Sequence, residues 1–289
     1  MGSDVDDARH GAAALVFAPV SAIVRLLVSD VDGTLVTPDK SLTVASLRAV
    51  ERLGDAGITF CITSARPPQG LAALVEPLRL STPLGALNGA LIVDSEMSVL
   101  DEKTIDQTLV APIIELLHSH KLSVWVYQGS RWFVLDDSGT HIEHESRSCA
   151  CLPTLLNDFG GIEDGVTKVV GVSDVDAAVA AASAALAQQF GPRLSAARSQ
   201  TYFLDVASPE ANKGRVVRYL AGVYGVATAE IATIGDMHND VSMFAEAGLS
   251  IAMGNADSAV KAAATHVTRA NDDEGFAYAV DRFVFANER

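Results

Sequence analysis

An α/β fold, with a doubly wound parallel sheet and an inserted α+β segment, is what this sequence of 289 residues predicts. Three observations predict it. Apolar runs that close on acidic residues occur near both ends of the chain, LLVSDVD at 26–32 and EIATIGD at 230–236. Segments of helical spacing alternate with these and other β-rich runs, as a parallel sheet covered on both faces requires. From about 91 to 204 the alternation gives way to adjacent strand pairs interleaved with helices.

Each element has its own signal. Residues 26–32 read as a buried strand stopped by Gly33. Val44, Leu47, Val50 and Leu53 then recur at helical spacing, and Gly54 and Gly57 close that helix. ITFCITS (58–64) is a second strand. Arg66-Pro67-Pro68 ends it, and a helix to about residue 80 follows. PLGALNG (83–89) is a third strand. LIVDS and MSVLDE (91–102) are β-rich, a helix falls near 108–120, and SVWVYQG with RWFVLDD (123–137) reads as a strand pair. TKVVGVS (167–173) precedes the helix of 174–190, and RLSAARS with TYFLDVA (193–207) reads as a hairpin. Helices are expected at 210–222, 239–247, 256–264 and 273–286. Strands are expected at 230–236, 249–255 and 266–271. The expected division is a partly disordered tail at 1–24, a Rossmann-like core at 25–90 plus 205–289, and an inserted α/β cap at 91–204.

Composition narrows the function. Hydrophobic residues make up 49%, enough for a full core and too many for a disordered chain. Lys and Arg number 21 against 36 Asp and Glu, a formal charge of −15. That sign argues against nucleic acid and against an anionic membrane surface as partners. No uncharged apolar run reaches the roughly 18 residues of a spanning helix. The apolar stretch 12–22 lacks a basic start and is broken by Pro19, so it does not read as a signal peptide. Cys61, Cys149 and Cys151 make neither a disulfide framework nor a zinc spacing, and reduced thiols fit a cytoplasmic protein.

The chemistry concentrates at strand ends. Asp30 and Asp32 are two apart, so on a strand they project together from the carboxyl edge, where open α/β sheets bind ligands. Two such carboxylates repel unless a cation intervenes, and a hard cation such as Mg²⁺ prefers oxygen. Gly33 permits an immediate turn that the Thr34 hydroxyl can tie down. A solvated acidic loop is the plain alternative. Asp236 ends another strand of the same type and can join Asp30 at one cation. Asp240, four residues on, is better placed to orient a metal-bound water. Capping of a helix is the competing account of that segment. Ser64 can donate to a phosphoryl oxygen or act as a plain N-cap. Lys213 stands at a predicted helix N-terminus, where a cation opposes the dipole unless an anion is held nearby.

In this order DVDGT, Ser64, Lys213 and GDMHND resemble the haloacid dehalogenase superfamily of aspartate-nucleophile phosphatases. Ser64-Ala65-Arg66-Pro67, Leu87-Asn88-Gly89-Ala90, Ala252-Met253-Gly254-Asn255-Ala256 and Asp273-Glu274-Gly275-Phe276-Ala277 narrow the likeness to its Cof-like group, subfamily IIB. The resemblance implies a Mg²⁺-dependent phosphomonoesterase acting on a small phosphorylated metabolite. Asp30 would be the nucleophile and Asp32 the acid–base. Asp30, the Asp32 carbonyl and Asp236 would be the metal ligands, with Asp240 behind them. Ser64, Lys213 and Asn239 would hold phosphoryl oxygens, with Thr34, Ala65 and Gly89 in the surrounding loops. Arg66 would meet substrate or pair with a core carboxylate, and Asn88 would order the edge near the cap hinge. Ser64 and Ala65 replace the commoner Thr and Gly. The Ser keeps the hydroxyl, while Ala65 adds a Cβ beside the phosphate loop.

Other residues carry weaker readings. His141 and His144 form an acidic, histidine-rich stretch, either a second metal site or a loop that is solvated or faces substrate. His118 and His120 do not share a helix face. His238 lies in the catalytic loop, within reach of substrate. Trp125, Tyr127, Trp132 and Phe133 read as cap core and strand pairing, with one or two able to line a pocket. A phosphomutase on the same core and a phospho-accepting receiver are the alternative functions. Asp32 and the large cap favour turnover of a small substrate. No oligomeric state follows from the sequence.

Overall fold

The computed structural model describes residues 23–285, apart from 140, 150 and 163. All but the last two residues of the expected tail lie outside it. The chain runs β1 (Leu26–Asp30), α1 (Val44–Asp55), β2 (Thr59–Thr63), α2 (Pro68–Val75), β3 (Leu84–Ala86), β4 (Leu91–Val93) and β5 (Val99–Glu102). Next come α3 (Gln107–Ser119), β6 (Ser123–Gln128), β7 (Arg131–Val134), α4 (Ile142–Cys149), β8 (Thr154–Leu155), β9 (Val166–Val172), α5 (Asp176–Phe190), β10 (Ser195–Gln200) and β11 (Phe203–Ala207). It closes with α6 (Lys213–Tyr224), β12 (Ile231–Gly235), α7 (Val241–Phe244), β13 (Leu249–Ala252), α8 (Ser258–Ala263), β14 (His266–Val267) and α9 (Gly275–Ala279).

The first sheet has the order β14-β13-β12-β1-β2-β3-β4-β5 and is parallel from β14 through β3. All five residues of β1 and of β12 are buried, as expected for apolar strands covered on both faces. Side chains cap the helices where the sequence places polar residues. Thr43 accepts from the Ser46 amide at α1, and Asn212 accepts from the Arg215 amide at α6.

Several boundaries differ from expectation. β4 and β5 continue the first sheet in antiparallel sense, although the run from 91 was expected to open the cap. The reason is a tight reversal at Leu87–Gly89, whose φ angles are 49°, 56° and 86°. That left-handed stretch returns the chain beside β3, so LIV pairs with LGA. At the other end, β11 reaches Ala207 and pairs with β9, so residues 205–207 belong to the inserted sheet. The helix expected at 239–247 shortens to α7 behind a single 3₁₀ turn at His238–Asp240.

The inserted sheet has the order β10-β11-β9-β6-β7-β8. Both expected strand pairs form, β6 with β7 and β10 with β11. Val124, Val126, Phe133, Val169 and Leu204 pack under α3 and α5. Trp125, Tyr127, Trp132 and Phe203 take the opposite face and merge with the core of the first layer. Tyr127 stands opposite Trp132, with rings 6.0 Å apart and stacked. The two connections between layers are tied by Lys103–Glu210 at 2.7 Å. Cys61 is free and buried.

Candidate active site

Asp30 is the last residue of β1, and Asp236 follows β12 directly, so parallel pairing brings both to one edge of the sheet. The strand stops at Asp30 rather than running through Asp32. The amides of Thr34, Leu35 and Val36 all donate to the Val31 carbonyl, coiling the chain into one tight turn. Asp32 lies in this turn rather than on the strand, and the two carboxylates have different partners. Gly33 in this turn has φ +80°, and a Cβ there would lie 2.3 Å from Asp236 Oδ2. Only glycine meets both demands.

Lys213 is 1% exposed, at the first turn of α6. Its Nζ donates to Asp30 Oδ1 at 2.5 Å and Asp240 Oδ1 at 2.6 Å. The anion that justifies a lysine at a helix N-terminus is thus a pair of aspartates. Asp240 Oδ2 accepts from the amides of Asp236 and Met237, at 2.8 and 2.9 Å. Thr34 does not tie its own turn. Its hydroxyl donates to Asp236 Oδ1 at 3.2 Å. Asn255 Nδ2 donates to the Gly33 carbonyl (2.9 Å) and to Asp236 Oδ2 (3.2 Å).

Asp30, Asp236 and Asp240 offer carboxylate oxygens within 4.8 Å of one another, the one such cluster among the described residues. Asp240 commits both oxygens to Lys213 and the loop amides, which leaves Asp30 and Asp236 as the carriers for a cation. Three buried carboxylates face one ammonium. Burial pushes the Asp30 carboxyl well up, with Asp240 and Asp236 adding to it against Lys213. Burial and then Asp240 push Asp236 up to about 6. Lys213 is raised as well: desolvation would lower it, but Asp240 and Asp30 outweigh that and hold the ammonium charged. This surplus of negative charge, on hard oxygen donors, fits a divalent cation.

The sign of that surplus is testable. A carboxyl raised in the folded state holds its proton more tightly there, so folding is favoured below the unfolded value near 3.8. That advantage is lost as pH rises through about 6. In chelator, the thermal midpoint should fall between pH 4 and 6 on account of Asp236, and an added divalent cation should restore most of the loss at pH 7. Equal midpoints with and without cation across that window would contradict the site.

Asp32 sits apart in a basic setting. Arg66 grips it with two bonds, Nε to Oδ2 and Nη2 to Oδ1, each 2.7 Å. Lys40 Nζ donates to Oδ1 at 2.6 Å. Burial alone would raise this carboxyl, but Arg66 and then Lys40 outweigh it and hold it below the usual range. One of the two roles expected for Arg66, pairing with a carboxylate, is thus present.

The remaining expected residues form the rim. Ser64 is buried; its amide donates to the Gly85 carbonyl and its Oγ accepts from the Arg66 amide. Ala65 is half-buried between them. Asn88 Oδ1 accepts from Asn239 Nδ2 at 2.8 Å, and Asn239 Oδ1 is buried without a partner. Gly89 packs against α6, since a Cβ there would lie 2.3 Å from the Asn212 carbonyl. Its own carbonyl accepts from Arg215 at 2.5 Å. Asn88 and Gly89 thus tie the loop after β3 to Asn239 and to α6. His238 pairs with Asp257 at 2.7 Å on the surface, and His141 bonds Asp174 at 2.8 Å while stacking on Tyr202. No three-ligand group gathers at His141 among the described residues.

Sequence reasoning singled out neither Lys40 nor Asn255. Asn255 stood inside a quoted signature, but its reach to Asp236 is a tertiary fact. Lys40 stood in a polar turn with no local sign of its target.

An aspartate at the end of a central parallel strand, bonded to a buried lysine and set among hard oxygen donors, suits phosphoryl-transfer chemistry at a divalent cation. Known proteins place the chain more closely. The profile of the haloacid dehalogenase-like hydrolases matches residues 27–280, and the chain belongs to that family. It is a phosphoric monoester hydrolase of the Cof-like kind. It is 27% identical to pyridoxal phosphate phosphatase YbhA of Escherichia coli, over 88% of this chain and 96% of that one. It is 26% identical to 5-amino-6-(5-phospho-D-ribitylamino)uracil phosphatase YwtE of Bacillus subtilis, over 90% and 98%. A crystal structure of a haloacid dehalogenase-like hydrolase from Bacteroides thetaiotaomicron superposes with a TM-score of 0.80 at 27% identity, over 90% of this chain and 99% of that one. No helix among the described residues is long and apolar enough to cross a membrane.

Proposed function

We propose that the protein is a Mg²⁺-dependent phosphatase that hydrolyses a small phosphomonoester, a sugar phosphate or related metabolite, through an aspartyl-phosphate on Asp30. The observation that carries this reading is the buried Asp30–Lys213–Asp240 chain, with Asp236 beside it. Relatives named for a phosphorylated ribitylaminouracil and for pyridoxal phosphate support a small substrate.

The residues divide the reaction between them. Lys213 fixes Asp30 Oδ1 and leaves the other oxygen to attack phosphorus in line. A bond forms from Asp30 to phosphorus as the bond to the leaving oxygen breaks. Asp32, a carboxylate in the free fold because of Arg66 and Lys40, would have to take up a proton as substrate binds; it would give that proton to the leaving oxygen and then take one from the water that attacks the acyl phosphate. Ser64, Asn239 and Lys213 lie where they can donate to phosphoryl oxygens whose charge must be stabilised. Mg²⁺, held by Asp30, Asp236 and the Asp32 carbonyl, would screen the nucleophile from the anionic phosphate. The inserted layer shuts water out and selects the leaving group.

Phosphate release across a panel of phosphomonoesters, with Mg²⁺ and with chelator, tests the proposal; release that ignores chelator overturns the metal requirement. Asp32→Asn refines it. General acid help matters most for poor leaving groups, so kcat should fall roughly 10²-fold or more on alkyl phosphates. On p-nitrophenyl phosphate the fall should be about tenfold or less. Equal losses on both would remove Asp32 from the acid role.

A further inference from the structure

Arg215 is a buried arginine that the proposed reaction does not use. It is 7% exposed and stands two residues beyond Lys213 in α6. Residues two apart on a helix point about 200° apart, so Arg215 leaves α6 on the side away from Lys213. Its Nη1 donates to the Gly89 carbonyl at 2.5 Å. Its Nη2 lies 2.5 Å from Asp101 Oδ2, an ion pair that is not aligned as a hydrogen bond. Asp101 belongs to β5, the edge strand of the first sheet, and the chain leaves that strand for the inserted layer. On the way, the Lys103 amide donates to the Ala90 carbonyl (2.7 Å) and Lys103 Nζ pairs with Glu210. Two residues further, the Ile105 amide donates to the Val166 carbonyl of β9 (2.7 Å).

The first turn of α6 has no slack. A Cβ on Gly89 would lie 2.3 Å from the Asn212 carbonyl oxygen, and one on Gly214 would lie 2.4 Å from that of Ser242. Backbone therefore meets backbone on both sides of Lys213, and a shift of the Gly89 loop is passed to the lysine. Lys213 must reach Asp30 and Asp240 together, at 2.5 and 2.6 Å. A misplacement of about 1 Å at a reacting centre can cost roughly 10²-fold in rate. We propose that Arg215 is a positioning residue: it locks the first turn of α6 to Gly89 and Asp101, and so ties the placement of Lys213 to the strand that leads into the inserted layer. The inference rests on the phosphatase reading.

The test compares Arg215→Met, Arg215→Lys, Asp101→Asn and the double variant Arg215→Met/Asp101→Asn, with Mg²⁺, on an alkyl phosphate and on p-nitrophenyl phosphate. Arg215→Met should lower kcat about tenfold, by the same factor on both esters, because Lys213 serves the phosphoryl group that they share. Arg215→Lys keeps the charge without the fork and should recover part of the loss. The Asp101 side chain is 44% exposed, so Asp101→Asn spares the fold, and it should also lower kcat. The double variant should lose no more than Arg215→Met alone, because both changes break one contact. An Arg215→Met chain with a lowered thermal midpoint and unchanged kcat would be missing only a brace of the fold, which overturns the proposal. Unchanged kcat in Asp101→Asn, or losses that multiply in the double variant, overturn it as well. In those cases the wild-type chain still releases phosphate and the phosphatase reading stands. A wild-type chain inactive on both esters overturns that reading and this inference together.

Discussion

Asp30→Asn should abolish phosphate release and leave the fold standing. The asparagine keeps the shape and the oxygen that Lys213 bonds, but an amide does not attack phosphorus. With the covalent route closed, turnover should fall roughly 10⁴-fold or more, as loss of a nucleophile does elsewhere. Stability should move the other way. Asp30 is 4% exposed, and its carboxyl is raised by burial and by Asp240 and Asp236. Its charge is therefore unfavourable in the metal-free fold at neutral pH. Removing that charge should leave the thermal midpoint in chelator equal to or above wild type. The midpoint should also gain less from added Mg²⁺ than wild type gains. Phosphate assays paired with thermal scans check both arms. Retained turnover would falsify the nucleophile assignment.

Lys213→Met should be the most destabilising single change at the site. Methionine fills nearly the same space, so the loss is one of charge and not of volume. It strands Asp30 and Asp240 in a buried setting with no cation between them. Breaking a buried ion pair from one side typically costs about 3–5 kcal/mol. The cost should be greatest at neutral pH and shrink as pH falls into the carboxylate range, where the stranded groups take up protons. Urea midpoints at pH 7.5 and pH 5 measure this, and a loss of the same size at both would mean that charge is not the cause. Turnover should vanish too, since the phosphoryl group loses its buried cation.

Much of this site was legible in the chain. LLVSD and IATIG are short, apolar throughout and closed by Asp, so they read as buried parallel strands with acids on one edge. The helix at 44–55 followed from the spacing of Val44, Leu47, Val50 and Leu53, and the helices expected near 108–120 and at 174–190 form at 107–119 and 176–190. Ser64, Lys213 and Asp236 could be placed because their motifs follow strands or open helices in a fixed order. The assignment of LIV and VLDE to the inserted layer failed because it depended on φ at Leu87, Asn88 and Gly89. A run of three apolar residues carries no sign of which sheet it joins.

The sequence by itself determined the α/β class, the paired strand ends and the family, because these depend on short-range periodicity and contiguous motifs. Tertiary structure decided the partnerships. Lys213 meets Asp30 across 183 positions and Thr34 meets Asp236 across 202. It also decided that Asp32 belongs to Arg66 and Lys40 rather than to Asp30. The reason is geometric. β1 ends at Asp30, so Asp32 sits in the turn that follows, where Arg66 and Lys40 reach it from other segments of the chain. Which carboxylate keeps its proton then follows from what the fold packs around it.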